Sequence, residues 1–233
     1  MIYIVSMCSK ILKDFDSIKL IYEDINNKIT EKDKVIIISS ALEDQSTFEL
    51  EKILKLHIDT TKQTIDALLS LKELESAYYI NLFLEKENTS SSVLTPYQIP
   101  MLIKNEKIEF IEMNNILMTL SKTKYLIIPG NFGINKHLIP KLLDIDHAER
   151  TAFYIYKELM KRRLKTTCHI YKEFEKVPVF DMDRALTNSY FDKITDTSSL
   201  NEIFDQDTIL LIKENKLSFT IGNTLCQGTH VFF

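Results

Sequence analysis

The sequence predicts an α/β fold, a three-layer αβα sandwich whose central sheet is mainly parallel. Two observations carry this. Short, largely apolar runs rich in β-branched residues recur along the chain, notably Val35–Ser39 within DKVIIISSA and Tyr125–Ile128 within KYLIIPGNFG. Runs of this kind are strands buried on both faces. Between them lie segments of helical length with apolar residues near helical spacing, so strands and helices alternate as parallel crossovers require.

In chain order, Ile2–Met7 is the first strand. A helix follows over Asp14–Lys28, with Phe15, Ile18, Leu20, Ile21 and Ile25 near helical spacing. Asp33–Ala41 is the second strand, then two helical segments follow, Ser46–Leu56 and a longer one from Thr60 towards Glu87. In the longer one Ile65, Leu68, Leu69, Leu74, Ala77, Tyr78 and Phe83 leave little polar face, which predicts burial on more than one side. Glu87–Ser92 is a polar loop, Ser92–Thr95 a strand, and Asn114–Ser121 a short helix leading into a central strand. That strand ends in Pro-Gly, and its loop holds two of the four glycines, Gly130 and Gly133. Ligands of open α/β sheets bind at such carboxyl ends.

Asp146–Leu164 has strong helix signals: Asp146 as N-cap, Glu149 three residues on as in a capping box, and Lys161-Arg162-Arg163 at the negative end of the dipole. Thr166–Tyr171 is a strand and Ser198–Phe204 a short helix. Thr208–Lys213, Lys216–Ile221 and His230–Phe233 read as strands, the first two as a hairpin, with Gly222 and Gly228 flanking a turn before the last. With 233 residues, no internal repeat and no linker rich in Pro or Gly, the expectation is one domain over 1–233.

A net charge of −4 argues against nucleic acid as a partner. Cys8, Cys168 and Cys226 are odd in number and widely spaced, which suits a reducing cytoplasm. Cys168 and His169 are neighbours in a predicted strand and point to opposite faces, so they read as core residues and no metal is expected. The start of the chain lacks the pattern of a signal peptide, and no run reaches the roughly 18 apolar residues of a membrane span, so no membrane is expected.

Five segments carry a resemblance: DFDSIKLIYEDI (14–25), VIIISSA (35–41), LLSLKELESAYYINLFL (68–84), YLIIPGNFG (125–133) and CHIYKEFEKVPVFDMD (168–183). In this order they resemble the catalytic domain of the aspartokinases, of the amino-acid kinase family. They correspond to the helix after its first strand, its second strand, its Ser-x-Gly-Glu segment with the long helix after it, its Val-Val-x-Gly-Phe-x-Gly strand and loop, and its nucleotide-binding Thr-Asp-Val-Asp-Gly segment. The C-terminal regulatory domains of that family have no counterpart here. The resemblance implies an amino-acid-kinase-like fold and, if active, transfer of phosphoryl from ATP to the side-chain carboxylate of aspartate with magnesium.

Such a reaction needs cations and backbone N–H groups around the phosphates. The resemblance assigns the phosphate-binding lysine to Ser6 and the two glycines to Cys8 and Ser9. Lys10 is a candidate substitute for the lysine, or a solvated side chain. The Arg-Gly-Gly-Ser-Asp segment maps onto Ile145–Glu149, without its arginine. Glu149 stands at the aspartate, where its capping box explains it equally. In the nucleotide segment Glu173 and Glu175 replace aspartates and Lys176 the glycine, with Lys172 a second candidate for phosphate. Ser40 and Glu73 fall on substrate-contacting positions. With Lys72 in place of the family's glycine, Glu73 reads equally as a solvated carboxylate on unbroken helix. Ser9, Gly130, Gly133, Lys172 and Glu173 are the nucleotide-side candidates, although a tight strand-to-helix turn alone accounts for the glycines.

Four glycines are few for a fold that grips nucleotide through glycine loops. The expectation is therefore an aspartokinase-like protein without phosphoryl transfer, acting as a binding, regulatory or subunit partner. Its ligand would be a small-molecule amino acid or nucleotide. Its partner would be a second copy, as a homodimer, or a related kinase.

Overall fold

The computed structural model describes residues 1–42, 52, 61–143, 148–172, 192–194, 203–222 and 229–231. The chain opens with β1 (Ile2–Met7), α1 (Phe15–Lys28) and β2 (Lys34–Ser39). There follow α2 (Lys62–Lys86), β3 (Ser91–Val93), β4 (Leu102–Lys104), β5 (Lys107–Phe110) and α3 (Met113–Lys122). Next come β6 (Tyr125–Pro129), β7 (Phe132–Ile134), β8 (Pro140–Leu142), α4 (Ala148–Lys161) and β9 (Thr166–Tyr171). The last elements are β10 (Asp192–Ile194), α5 (Gln206–Asn215), β11 (Phe219–Gly222) and β12 (Thr229–Val231).

The main sheet has the order β10-β12-β11-β9-β1-β2-β6-β3, and the six strands from β11 to β3 run parallel. Alternation along each strand divides its side chains between two cores. Ile4, Ile36, Ile38, Ile128 and Ile170 pack with Phe153, Ile155 and Leu159 of α4, Ile116 of α3 and Ile212 of α5. Val5, Ile37, Tyr125 and Ile127 pack with Ile18, Ile21 and Ile25 of α1 and with Ala77, Ile80 and Phe83 of α2. These are the three layers the sequence predicts. A second sheet, β5-β4-β7-β8, occupies part of a region the sequence left without elements.

Three expectations are corrected. The glycine-loop strand is interior yet next to the edge, because β3 alone lies outside β6 and the centre is held by β9 and β1. Residues 208–213 are helical. Asp205 caps α5, its side chain accepting from Thr208 N–H, and Ile209 and Ile212, three apart, are buried while Leu210 is exposed. The β-branched run imitated a strand, but the cap fixes helical geometry. The hairpin accordingly joins β11 to β12, which pair antiparallel.

Third, α2 is buried on one side and not on more than one. Leu68, Leu71, Tyr78 and Leu82 are exposed, whereas Asp66, Ser70, Glu73 and Ser76 are buried. The helix turns its polar side inward near the carboxyl ends of the strands. The predicted helix over 46–56, the Asp146 cap and most of the predicted helix over 198–204 lie outside the described residues.

Candidate functional site

The carboxyl ends of β1, β2, β6 and β9 bring Met7, Ser39, Pro129 and Tyr171 to one edge of the sheet. The residues just beyond them build the candidate site. After β2, Ser40 is fully buried, and Ala41 donates its N–H to Glu73 Oε1 at 3.1 Å. After β6, Asn131 donates from Nδ2 to the same Oε1 at 2.9 Å and to Ser40 Oγ at 3.2 Å. Glu73 comes from α2, which is unbroken at this point as the surface reading required, but its side chain points inward and is only 3% exposed. A carboxylate cannot sit there without hydrogen bonds, and the amide and backbone donors supply them.

Gly130 and Gly133 do not have positive φ, so their conformation does not call for glycine. Space does. A Cβ on Gly130 would lie 2.6 Å from Ala148 Cβ, and one on Gly133 would lie 2.3 Å from Met101 O. Gly130 O accepts from Thr151 Oγ1 at 2.6 Å, which ties the first turns of α4 to the loop. Both glycines are therefore filled by neighbouring protein atoms.

On the nucleotide side, Ser6, Cys8 and Ser9 are buried and Lys10 is exposed. The turn after β1 closes on itself: Ile11 and Leu12 donate their N–H groups to Cys8 O, at 3.2 and 3.3 Å, and Leu12 N–H also reaches Ser9 O. Lys172, one residue beyond β9, donates to Glu149 Oε1 at 3.3 Å and to Ile203 O at 2.9 Å, with its ammonium over the Phe204 ring. Glu149 is 1% exposed. The structure thus joins Ser40 with Glu73 through Asn131 and, separately, Glu149 with Lys172. Glu173 lies outside the described residues.

Several charged groups at this end of the sheet were not singled out from sequence. Buried Asp66 pairs with Lys141 of β8 at 3.1 Å, and Arg150 of α4 pairs with Asp205 at 2.9 Å. Burial pushes the Asp205 carboxyl up, but hydrogen bonds from Thr208 and the Arg150 guanidinium outweigh it and hold the group at about 2. Asn131 was within reach of sequence reasoning, since it sits inside the PGNFG loop between the two glycines considered.

A cleft of about 220 Å³ lies elsewhere, at the amino ends of β1 and β9 and the start of β11, lined by Tyr3, Tyr156, Thr167, Cys168 and Phe219. It contains none of the candidate residues. Among the described residues no helix is long and apolar enough to cross a membrane, and no group of three or more His, Cys, Asp or Glu side chains is placed to hold a metal.

No protein-family model and no curated protein sequence matches the chain. Solved structures do. Aspartate kinase from Synechocystis superposes with a TM-score of 0.78 at 13% identity, over 100% of this chain and 40% of that one. E. coli aspartokinase III in complex with aspartate and ADP gives 0.76 at 12% identity, over 100% of this chain and 64% of that one. UMP kinase from Ureaplasma parvum gives 0.66 at 16% identity, over 100% of this chain and 99% of that one. The chain spans less than two thirds of the length of either aspartokinase and nearly all of the UMP kinase. At these identities the likeness concerns architecture, and the fold is the one shared by aspartokinases and other amino-acid kinases.

Proposed function

We propose that this chain is an aspartokinase-like protein that has lost phosphoryl transfer and works as a binding, regulatory or subunit partner. The observation that carries this is the state of the phosphate side of the site. The N–H groups of Ile11 and Leu12 are spent on Cys8 O, and Lys172 is held by Glu149 and Ile203 O. ATP and magnesium are the groups the resemblance implies, and these residues do not fit them. A phosphate chain needs free N–H donors and an available cation. The N–H groups of Ile11 and Leu12 and the ammonium of Lys172 are engaged, a buried carboxylate beside Lys172 works against an anion, and the exposed Lys10 is the candidate cation that is left. No step is therefore derived through them.

A second reading, an active aspartate kinase using ATP on the aspartate side-chain carboxylate, draws on the other half of the site. Ser40 and Glu73 are buried and linked through Asn131, as a preformed ligand site would be. In both readings the ligand is an amino acid or nucleotide and the chain forms one domain. Its compartment is the cytoplasm, consistent with Cys8 and Cys168 being buried and in no disulfide. Assembly as a homodimer, or with a related kinase, is supported by the exposed apolar residues of α2.

Thermal melting and a trapping assay separate the two readings. A nucleotide at a hundred times its Kd stabilises the fold by about 2.7 kcal/mol, a Tm rise of roughly 5–10 °C for a chain of this size. The expected result is a negligible shift with millimolar Mg-ATP and no aspartyl phosphate trapped by hydroxylamine. Aspartate-dependent ATP turnover that Lys10→Ala or Lys172→Ala abolishes would establish the active kinase instead.

A further inference from the structure

The amide of Asn131 has one possible orientation. Glu73 Oε1 and Ser40 Oγ both lie within bonding distance of Nδ2, and the reverse rotamer would set an amide oxygen against a carboxylate. Oδ1 therefore faces away from both, and it meets no hydrogen-bond partner among the described residues although Asn131 is 1% exposed. Among the atoms that share this condition are Ser39 Oγ, on the residue before Ser40, and Ser76 Oγ, three residues after Glu73 on the inward face of α2; Ser91 Oγ and Asn81 Oδ1 share it elsewhere in the fold. Buried polar atoms in folded proteins are paired in nearly every case, so acceptors left over at a strand's carboxyl end mark a place for a donor from outside the chain.

The chemistry of that donor follows from its neighbour. A phosphate or a bare carboxylate brings acceptors and negative charge towards Glu73, which is unfavourable on both counts. A primary ammonium brings three N–H donors and a positive charge, matching an amide oxygen beside a carboxylate. In the aspartokinase motif quoted above the residue after the first glycine is phenylalanine; here it is Asn131, a polar side chain that adds an acceptor.

We infer that Asn131 is a ligand-binding and positioning residue: its amide nitrogen fixes Glu73 and Ser40, and its amide oxygen accepts from the primary ammonium group of a small-molecule ligand. This rests on reading the Ser40–Asn131–Glu73 cluster as a ligand site, and it is independent of whether ATP binds.

The test uses calorimetric titration of the full chain with two probes, L-aspartate and succinate, which share both carboxylates and differ in the amine. Wild type should bind L-aspartate about tenfold or more tighter than succinate, the worth of a charged hydrogen bond. Asn131→Ala should remove most of that preference while changing succinate affinity little, and Asn131→Ser, which keeps an oxygen, should fall between. A merely structural role would weaken both probes by the same factor and leave their ratio intact, which would overturn the inference. So would a wild type that binds neither probe or does not discriminate, the outcome expected where an ordered water alone satisfies Oδ1. Where the alanine variant does not fold, the ratio in Asn131→Ser decides. Failure here leaves the Mg-ATP result standing, and aspartate-dependent turnover would refute loss of catalysis while leaving the ammonium preference intact.

Discussion

Lys172 and Glu149 meet at 3.3 Å, an ammonium at the end of β9 against a carboxylate in the first turn of α4 that is 1% exposed. A cation in this position can serve a ligand only by leaving its partner. Lys172→Met takes away this cation and leaves Glu149 buried, which should cost about 3 kcal/mol. For a chain of this length that is a Tm fall of roughly 6–12 °C. The double variant Lys172→Met/Glu149→Gln should recover part of the loss, a positive coupling readable in a double-mutant cycle by thermal or urea melting. Additive losses would show that the pair carries no interaction energy.

The Asp205 cap makes stability acid-sensitive in a defined direction. Its carboxyl is held at about 2, below the ordinary value of 3.8, so the folded state favours the ionised form. The stabilisation is complete above the unfolded value and is lost as pH falls from about 4 to about 2. The difference amounts to about 2 kcal/mol at neutral pH. Asp205→Asn keeps a cap but loses the negative charge that faces Arg150. It should melt several degrees below wild type at pH 7, and the gap should narrow to about a third by about pH 2.5 and close only below about pH 2. A gap that is constant with pH would assign the role of Asp205 to the cap alone.

The parallel sheet was legible because its evidence is local: a buried parallel strand is a β-branched run, and such runs cannot be hidden. The helix Gln206–Asn215 was not, since TILLI carries strand residues and only the Asp205–Thr208 contact, a matter of backbone geometry, decides the issue. The site divides in the same way. Ser40 and Glu73 could be named from sequence, but that Glu73 points inward is set by how α2 lies across the sheet end. Asn131 joins them over 58 residues of sequence separation from Glu73, and no spacing rule reports such a contact. Lys172 was legible as a cation near phosphate; its engagement by Glu149, from a helix 23 residues earlier, was not.

The two loop glycines should behave as packing residues of unequal sensitivity. Gly130→Ala forces a methyl to 2.6 Å from Ala148 Cβ, 2.7 Å from Ile38 Cγ2 and 2.9 Å from Ala148 Cα, so that Ile38 can yield and the start of α4 must shift. Overpacking of this kind costs about 1–3 kcal/mol. Ala148→Gly removes one of those atoms and should restore part of the stability in the Gly130→Ala background. Gly133→Ala meets backbone more closely, Met101 O at 2.3 Å, and since β7 accepts from and donates to its neighbours there, the strand cannot yield as a side chain can. It should be the more damaging substitution by chemical denaturation. Equal tolerance of both would mean that the loop repacks freely.

The exposed side of α2 yields the prediction about assembly. Leu68, Leu71, Tyr78 and Leu82 are spaced by three, seven and four residues, the rhythm of a seam between helices, and each is more than two fifths exposed. Glu75 interrupts the seam, and it is already paired with Lys72 at 3.0 Å, so its charge is partly neutralised without a partner chain. Apolar side chains in such a row are stable in water only at a cost that a second helix removes, by about 1.5 kcal/mol or more for each leucine fully covered. The expected state is a dimer at micromolar concentration by light scattering. Leu71→Glu/Leu82→Glu should convert it to monomer while leaving the thermal melt of the fold cooperative, because neither side chain contributes to the sheet-facing core. A wild type that is monomeric throughout this range, with unchanged mass in the double variant, would remove the dimer from the proposal.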